Sequence, residues 1–166
     1  LVLGNGGNML ANSGSITVDT TTVTGGAGVD TVVNNAGATI TGHIELFAGN
    51  DVISNDGTID IAGTSIDMGD DDDTLSNSAT GSISGAGGSL IFGNGVDILN
   101  NLGNIDGDIF MGGGDDVVVF DASSSAAYSG GVVDCGPGND TITAMPAVIA
   151  TSVSCEIQNT LDSTPP

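Results

Sequence analysis

Carboxylate is the only ionisable chemistry this chain holds in quantity. There are 21 acidic residues, one histidine, and no lysine or arginine. Six aspartates stand out by position: Asp30, Asp51, Asp73, Asp97, Asp116 and Asp140 each close a short, mostly glycine-rich turn, such as Gly26-Ala27-Gly28-Val29-Asp30 or Gly112-Gly113-Gly114-Asp115-Asp116. A seventh turn, Gly4-Asn5-Gly6-Gly7-Asn8, closes on asparagine. The closing positions 8, 30, 51, 73, 97, 116 and 140 differ by 22, 21, 22, 24, 19 and 24. If each period is one winding and the windings stack in register, the six carboxylates form a column with neighbours ~5 Å apart. Two unit charges at that range repel by about 1 kcal/mol in bulk water, and by more near protein. No lysine or arginine exists to offset this, so the counter-charge must come from outside. Ca²⁺ takes carboxylate and carbonyl oxygens, and glycine turns expose carbonyls. The six aspartates are therefore candidate Ca²⁺ ligands, with Asp70, Asp71, Asp72 and Asp115 on the same edge. The competing reading is a solvated acidic face screened by monovalent salt.

Other chemistry is harder to assemble. His43 is the only histidine, and a lone histidine at a strand start is more often a surface residue than a general base. No Ser–His–Asp triad follows from the spacing, and no histidine-based metal-hydrolase site. Paired carboxylates can hydrolyse glycosides, but an exposed ladder of like groups does not give an acid and a base with separated pKa values. The chain is expected to be non-catalytic. Nucleic-acid binding needs basic side chains, as does binding to anionic membrane surfaces, and both are excluded. No apolar run is long enough to insert into a membrane.

A period near 22 residues is the mark of a stacked-repeat fold. After each turn comes a short β-prone run, such as Thr31-Val32-Val33 or Val52-Ile53. Asparagine stands four residues after the closing position in five windings: Asn12, Asn34, Asn55, Asn77 and Asn101. A glycine follows, and then a strand with one central isoleucine, as in Thr39-Ile40-Thr41 and Ser82-Ile83-Ser84. A third strand, such as Ile44-Glu45-Leu46, leads into the next acidic turn. Alternation places isoleucine inward and Ser, Thr or Asp outward. Aromatics make up only 3%, so the core must be thin and aliphatic. The predicted fold is all-β: a right-handed parallel β-helix of about seven coils and roughly 22 residues per coil. Asparagines repeated at one corner are expected to bond side chain to side chain up the stack, as ladders do in cross-β assemblies.

One solenoid domain is expected over 1–159, with 160–166 as a tail. The pattern decays in Phe120-Asp121-Ala122-Ser123-Ser124-Ser125-Ala126-Ala127, which reads as a looser coil or bulging loop. Cys135 and Cys155 both lie in the last coil. An even count in a secreted-looking chain reads as a disulfide, the alternative being two buried thiols. A bond closing that loop would contribute ~3 kcal/mol and pin the end of the rod.

Gly112-Gly113-Gly114-Asp115-Asp116-Val117-Val118 and Gly136-Pro137-Gly138-Asn139-Asp140-Thr141-Ile142 resemble the glycine- and aspartate-rich nonapeptide of repeats-in-toxin proteins, a resemblance that implies Ca²⁺ binding in a parallel β-roll. That family repeats the motif every nine residues on both edges; here it comes once per winding, on one edge. The longer period, with Asn-x-Gly-x-Ile between acidic turns, is more similar to the β-helical passenger regions of bacterial autotransporters and related surface adhesins. That resemblance implies an exported, structural or adhesive rod.

The expected role is an extracellular, cell-surface β-solenoid. It would self-associate by head-to-tail coil stacking into a fibre or matrix, since an open strand edge is a template for pairing. The alternatives are an adhesin or autotransporter stalk fragment, with a surface or polysaccharide ligand, and a calcium-responsive secretion module.

Overall fold

A computed structural model of the chain describes residues 1–17 and 23–161. Most of the expected tail, 162–166, lies outside the described residues. The chain winds through three parallel sheets. The first coil comprises β1 (Met9–Asn12), β2 (Ser15–Thr17) and β3 (Val23–Ala27), and the second β4 (Thr31–Asn34), β5 (Thr39–Thr41) and β6 (Ile44–Ala48). The third comprises β7 (Val52–Asn55), β8 (Thr58–Asp60) and β9 (Ser65–Asp67), and the fourth β10 (Thr74–Asn77), β11 (Ser82–Ser84) and β12 (Ser89–Ile91). The fifth comprises β13 (Ile98–Asn101), β14 (Asn104–Ile105) and β15 (Asp108–Phe110). Two further coils follow, β16 (Val117–Phe120), α1 (Ala122–Ala127), β17 (Val133–Asp134) and then β18 (Thr141–Ala144), α2 (Pro146–Ile149), β19 (Ser152–Val153), before β20 (Ile157–Thr160).

Every pairing between coils is parallel. The first face has eight strands, in the order β1-β4-β7-β10-β13-β16-β18-β20. The second has five, β2 to β14, and the third has seven, β3 to β19. The expected β-solenoid is the observed fold, with register kept residue for residue: Val32 faces Ile53, Ile53 faces Leu75, and Leu75 faces Leu99. No single coil buries an apolar face by itself; stacking makes the inward residues continuous. Ile40, Ile59, Ile83 and Ile105 form one buried column on the second face. Ile44, Ile66, Leu90, Ile109 and Val133 form another on the third. Each such side chain is worth roughly 1.5–3 kcal/mol relative to exposure.

The segment read as a loose coil is a short helix, α1. Asp121 caps it, accepting from the Ser124 amide at 2.7 Å. It packs against β14, where the second sheet ends. The next coil repeats the substitution with α2, which has a proline in its first turn, where the missing N–H costs nothing. Cys135 and Cys155 form a disulfide with Cα atoms 5.2 Å apart, joining the coil of β17 to the segment that precedes β20.

Candidate functional site

The corner between the third and first faces holds the six aspartates. Alternation along each first-face strand puts Asp30, Val32 and Asn34 on one side of the chain and Thr31 and Val33 on the other. The aspartates therefore point in. Asp30, Asp51, Asp97 and Asp140 are 0% exposed, and Asp73 and Asp116 are 1%. The structure does stack them as one column, but inside the corner rather than along a solvated edge.

Each step of the column is one hydrogen bond. The backbone N–H of Asp30 donates to Oδ1 of Asp51 at 2.7 Å, and Asp51 donates to Asp73 at 2.7 Å. Asp73 to Asp97, Asp97 to Asp116, and Asp116 to Asp140 follow, each at 2.8 Å. The column extends beyond the six residues at both ends. The Asn8 amide N–H donates to Asp30 Oδ1 at 2.9 Å, and the Asp140 N–H donates to Glu156 Oε2 at 3.0 Å. Glu156 escapes the spacing rule because it follows Asp140 by 16 residues, α2 having shortened the coil.

The second carboxyl oxygen has a different fate. In Asp30 it accepts from the Gly26 N–H at 3.0 Å. In Asp51, Asp73, Asp97, Asp116 and Asp140 the Oδ2 atom is buried and has no hydrogen-bond partner. Asn8 shows what the position takes: its Nδ2 donates to the Gly4 and Gly6 carbonyls and to Asp30 Oδ1. At that end of the column the side chain is a donor, and a carboxyl group supplies one only when it carries a proton. Burial accordingly raises these groups. Desolvation lifts Asp73 from 3.8 to about 8, against the lowering effect of the Asp51 N–H and with added repulsion from Asp97, Asp51 and Asp71. Asp51 and Asp97 rise to about 6 for the same leading reason. Asp116 and Asp140 are also pushed up, by desolvation first.

Glycine makes the corner possible. Gly69, Gly93, Gly112 and Gly136 all have positive φ, between 83° and 110°. A Cβ on any of them would run into the carbonyl of the coil below. Phe47 occupies the equivalent place with φ of 76°, in a region that costs a non-glycine residue roughly 1–2 kcal/mol.

The exposed acids form a second, outer set. Asn94 Nδ2 donates to Asp70 Oδ1 at 2.8 Å, the Val96 N–H to Asp72 at 2.8 Å, and the Asn139 N–H to Asp115 at 3.0 Å. An open depression of about 350 Å³ beside them is lined by Glu45, Phe47, Asp67, Gly69 and Asp70 among others. Burial raises Asp67, and neighbouring Glu45 adds to it. His43 bonds Ser65 Oγ through Nδ1 at 3.0 Å.

At the opposite edge of the first face, the expected asparagine ladder is present. Nδ2 of Asn12, Asn34, Asn55 and Asn77 each donates to Oδ1 of the next asparagine, at 2.8–2.9 Å. The ladder stops at Asn101, because Phe120 takes the next place and Asn101 Nδ2 is left without a partner.

Among the described residues, no group of three or more His, Cys, Asp or Glu side chains is arranged to hold a metal ion. No helix among them is long and apolar enough to cross a membrane. The chain matches no family model, and comparison with curated proteins and with solved structures returns no match.

Proposed function

We propose that this chain is a structural, non-catalytic rod that works outside the cell and extends by coil-on-coil stacking. The observation that carries the reading is the repeat of one pairing register at every step of the first face, whose outermost strands among the described residues are β1 and β20. The two edges are complementary, since each internal step joins the same two kinds of edge. A second copy docking there gives a fibre. A further coil of a longer chain gives a stalk. The chemistry is spread along columns and does not converge on one centre. The disulfide supports an oxidising compartment.

Electron microscopy of the concentrated protein tests this reading. Rods of one width whose lengths grow in steps of about 38 Å, eight strands at ~4.8 Å each, are the expected result. Particles of a single length at every concentration would rule out the fibre and leave the stalk.

The five unpartnered oxygens favour a second role for the column. Where its carboxyls ionise, Ca²⁺ is the counter-charge we propose, because the chain has no lysine or arginine to supply one. A melting temperature at pH 8 that rises with millimolar Ca²⁺ and falls with chelator supports this, and an unchanged melt removes it.

A further inference from the structure

The outward side of the eight-stranded face carries no charge. Its sixteen outward positions lie in two columns that run the length of the rod. One column reads Thr31, Val52, Thr74, Ile98, Val117 and Thr141 across its middle strands. Beside it, Ser54, Ser76, Asn100 and Val119 form the centre of the other. None of the acidic residues among the described positions stands on this side. The contrast with the other faces is sharp. Outward positions of the third face include Glu45, Asp67 and Asp134, and the second face carries Asp60. A chain of charge −21 thus keeps one flat, half-apolar side free of carboxylates.

We propose that two copies of this chain pair laterally through this side, with the rods parallel. Area and charge both support a second copy as the occupant. Four residues at ~3.3 Å by eight strands at ~4.8 Å is about 500 Å² per partner, or about 1,000 Å² in all, the lower limit for a specific interface. Sheets pack face to face in this way at ~10 Å, their short branched side chains interdigitating. On any other side, two such rods would bring carboxylates together.

Charge also selects the orientation. A two-fold axis across the rods would set the acidic corner of Asp70, Asp71, Asp72 and Asp115 against its own copy. A two-fold axis along the rods sets that corner against the partner's asparagine corner, where the equivalent outer places are Asn35, Asp56, Ser78, Leu102 and Asp121, only two of them acidic. Parallel rods share one polarity, so pairing leaves both ends open to axial growth. Lateral pairing therefore stands or falls independently of the fibre: one doubles the width of a particle, the other its length.

Sedimentation equilibrium at low and high NaCl tests the pairing. Screening shortens repulsion between the remaining acids, so the dimer fraction is expected to rise with salt. Ser76→Asp combined with Asn100→Asp, at the centre of the face, is expected to weaken dimerisation at least tenfold. Ser84→Asp, outward on the second face, is expected to leave it unchanged, and circular dichroism checks that each variant folds. Spin labels on Ala11→Cys, in the first strand of the face, read the orientation without placing a charge in the interface. Parallel rods place the two labels within ~20 Å, and antiparallel rods separate them by about seven strand spacings, ~34 Å. A wild-type chain that stays monomeric at every salt concentration overturns the proposal, as does a label distance near 34 Å. A monomer retained on an insoluble neutral polysaccharide also overturns it and gives the face to a glycan.

Discussion

Two ladders run up the two edges of the same eight-stranded face, and they differ by one functional group. In the asparagine ladder each amide donates upward and accepts from below, so every internal rung satisfies itself. In the aspartate column each carboxyl from Asp51 to Asp140 accepts a backbone N–H on one oxygen and leaves the other buried without a partner. An amide carries its own donor, whereas a carboxyl must take a proton from solution. The asparagine edge is therefore indifferent to pH over the physiological range. The aspartate edge is the place where solution conditions reach the core of the rod.

Breaking the self-sufficient ladder has the largest expected effect. Asn77→Ala removes the bonds to Asn55, Asn101 and the Asn104 carbonyl, and leaves a void between buried amides. A loss of about 2–4 kcal/mol is expected, unchanged between pH 5 and pH 8, as read by urea denaturation.

The intact protein should show the opposite sensitivity. Asp51, Asp73 and Asp97 hold their protons more tightly folded than unfolded, so the folded state binds more protons once pH passes 3.8. Stability from these groups is complete below that value. It declines as pH rises, and it is lost through about 6 for Asp51 and Asp97 and about 8 for Asp73. Thermal melts should be highest near pH 4 and fall steadily towards pH 9. A melt that rises with pH across that range would place ionised carboxylates in the column.

Converting one rung sharpens the comparison. Asp73→Asn gives the column the donor that Asn8 already supplies, while keeping an oxygen for the Asp51 N–H. The variant should lose little near pH 4, gain about 1–3 kcal/mol at pH 8, and show a shallower pH profile in the same melts. The smallest effect isolates backbone strain from charge. Phe47→Gly relieves positive φ at an exposed ring, with an expected gain of up to about 1 kcal/mol that does not vary with pH.

Much of this was legible in the sequence. The 22-residue period gave the stacking, the central isoleucines gave the second face, and the recurrent asparagines gave their ladder, because each rests on a local spacing that parallel register simply repeats. The aspartate column was legible as a column but was placed on the outer edge. Parity held the missing signal, since Asp30 is two residues from inward Val32 and four from inward Asn34, so it faces the same way. The turn glycines obscured this, because a glycine-rich turn reads as solvent-facing. Helices α1 and α2 were not legible as helices: six and four residues are too few for a hydrophobic period to show. Glu156 was hidden for the same reason, because α2 takes it out of step with the repeat.

The central claim is that a chain without lysine or arginine holds a buried column of carboxyls in which Asp51, Asp73 and Asp97 keep their protons well above the usual carboxylate range. Carbon-13 NMR titration of the aspartate carboxyl carbons, in the presence of chelator, tests it most directly. The account expects midpoints near 6 for Asp51 and Asp97 and near 8 for Asp73, or unfolding before the last of these is reached. Midpoints for all three below about 4, in a chain that stays folded, would contradict it.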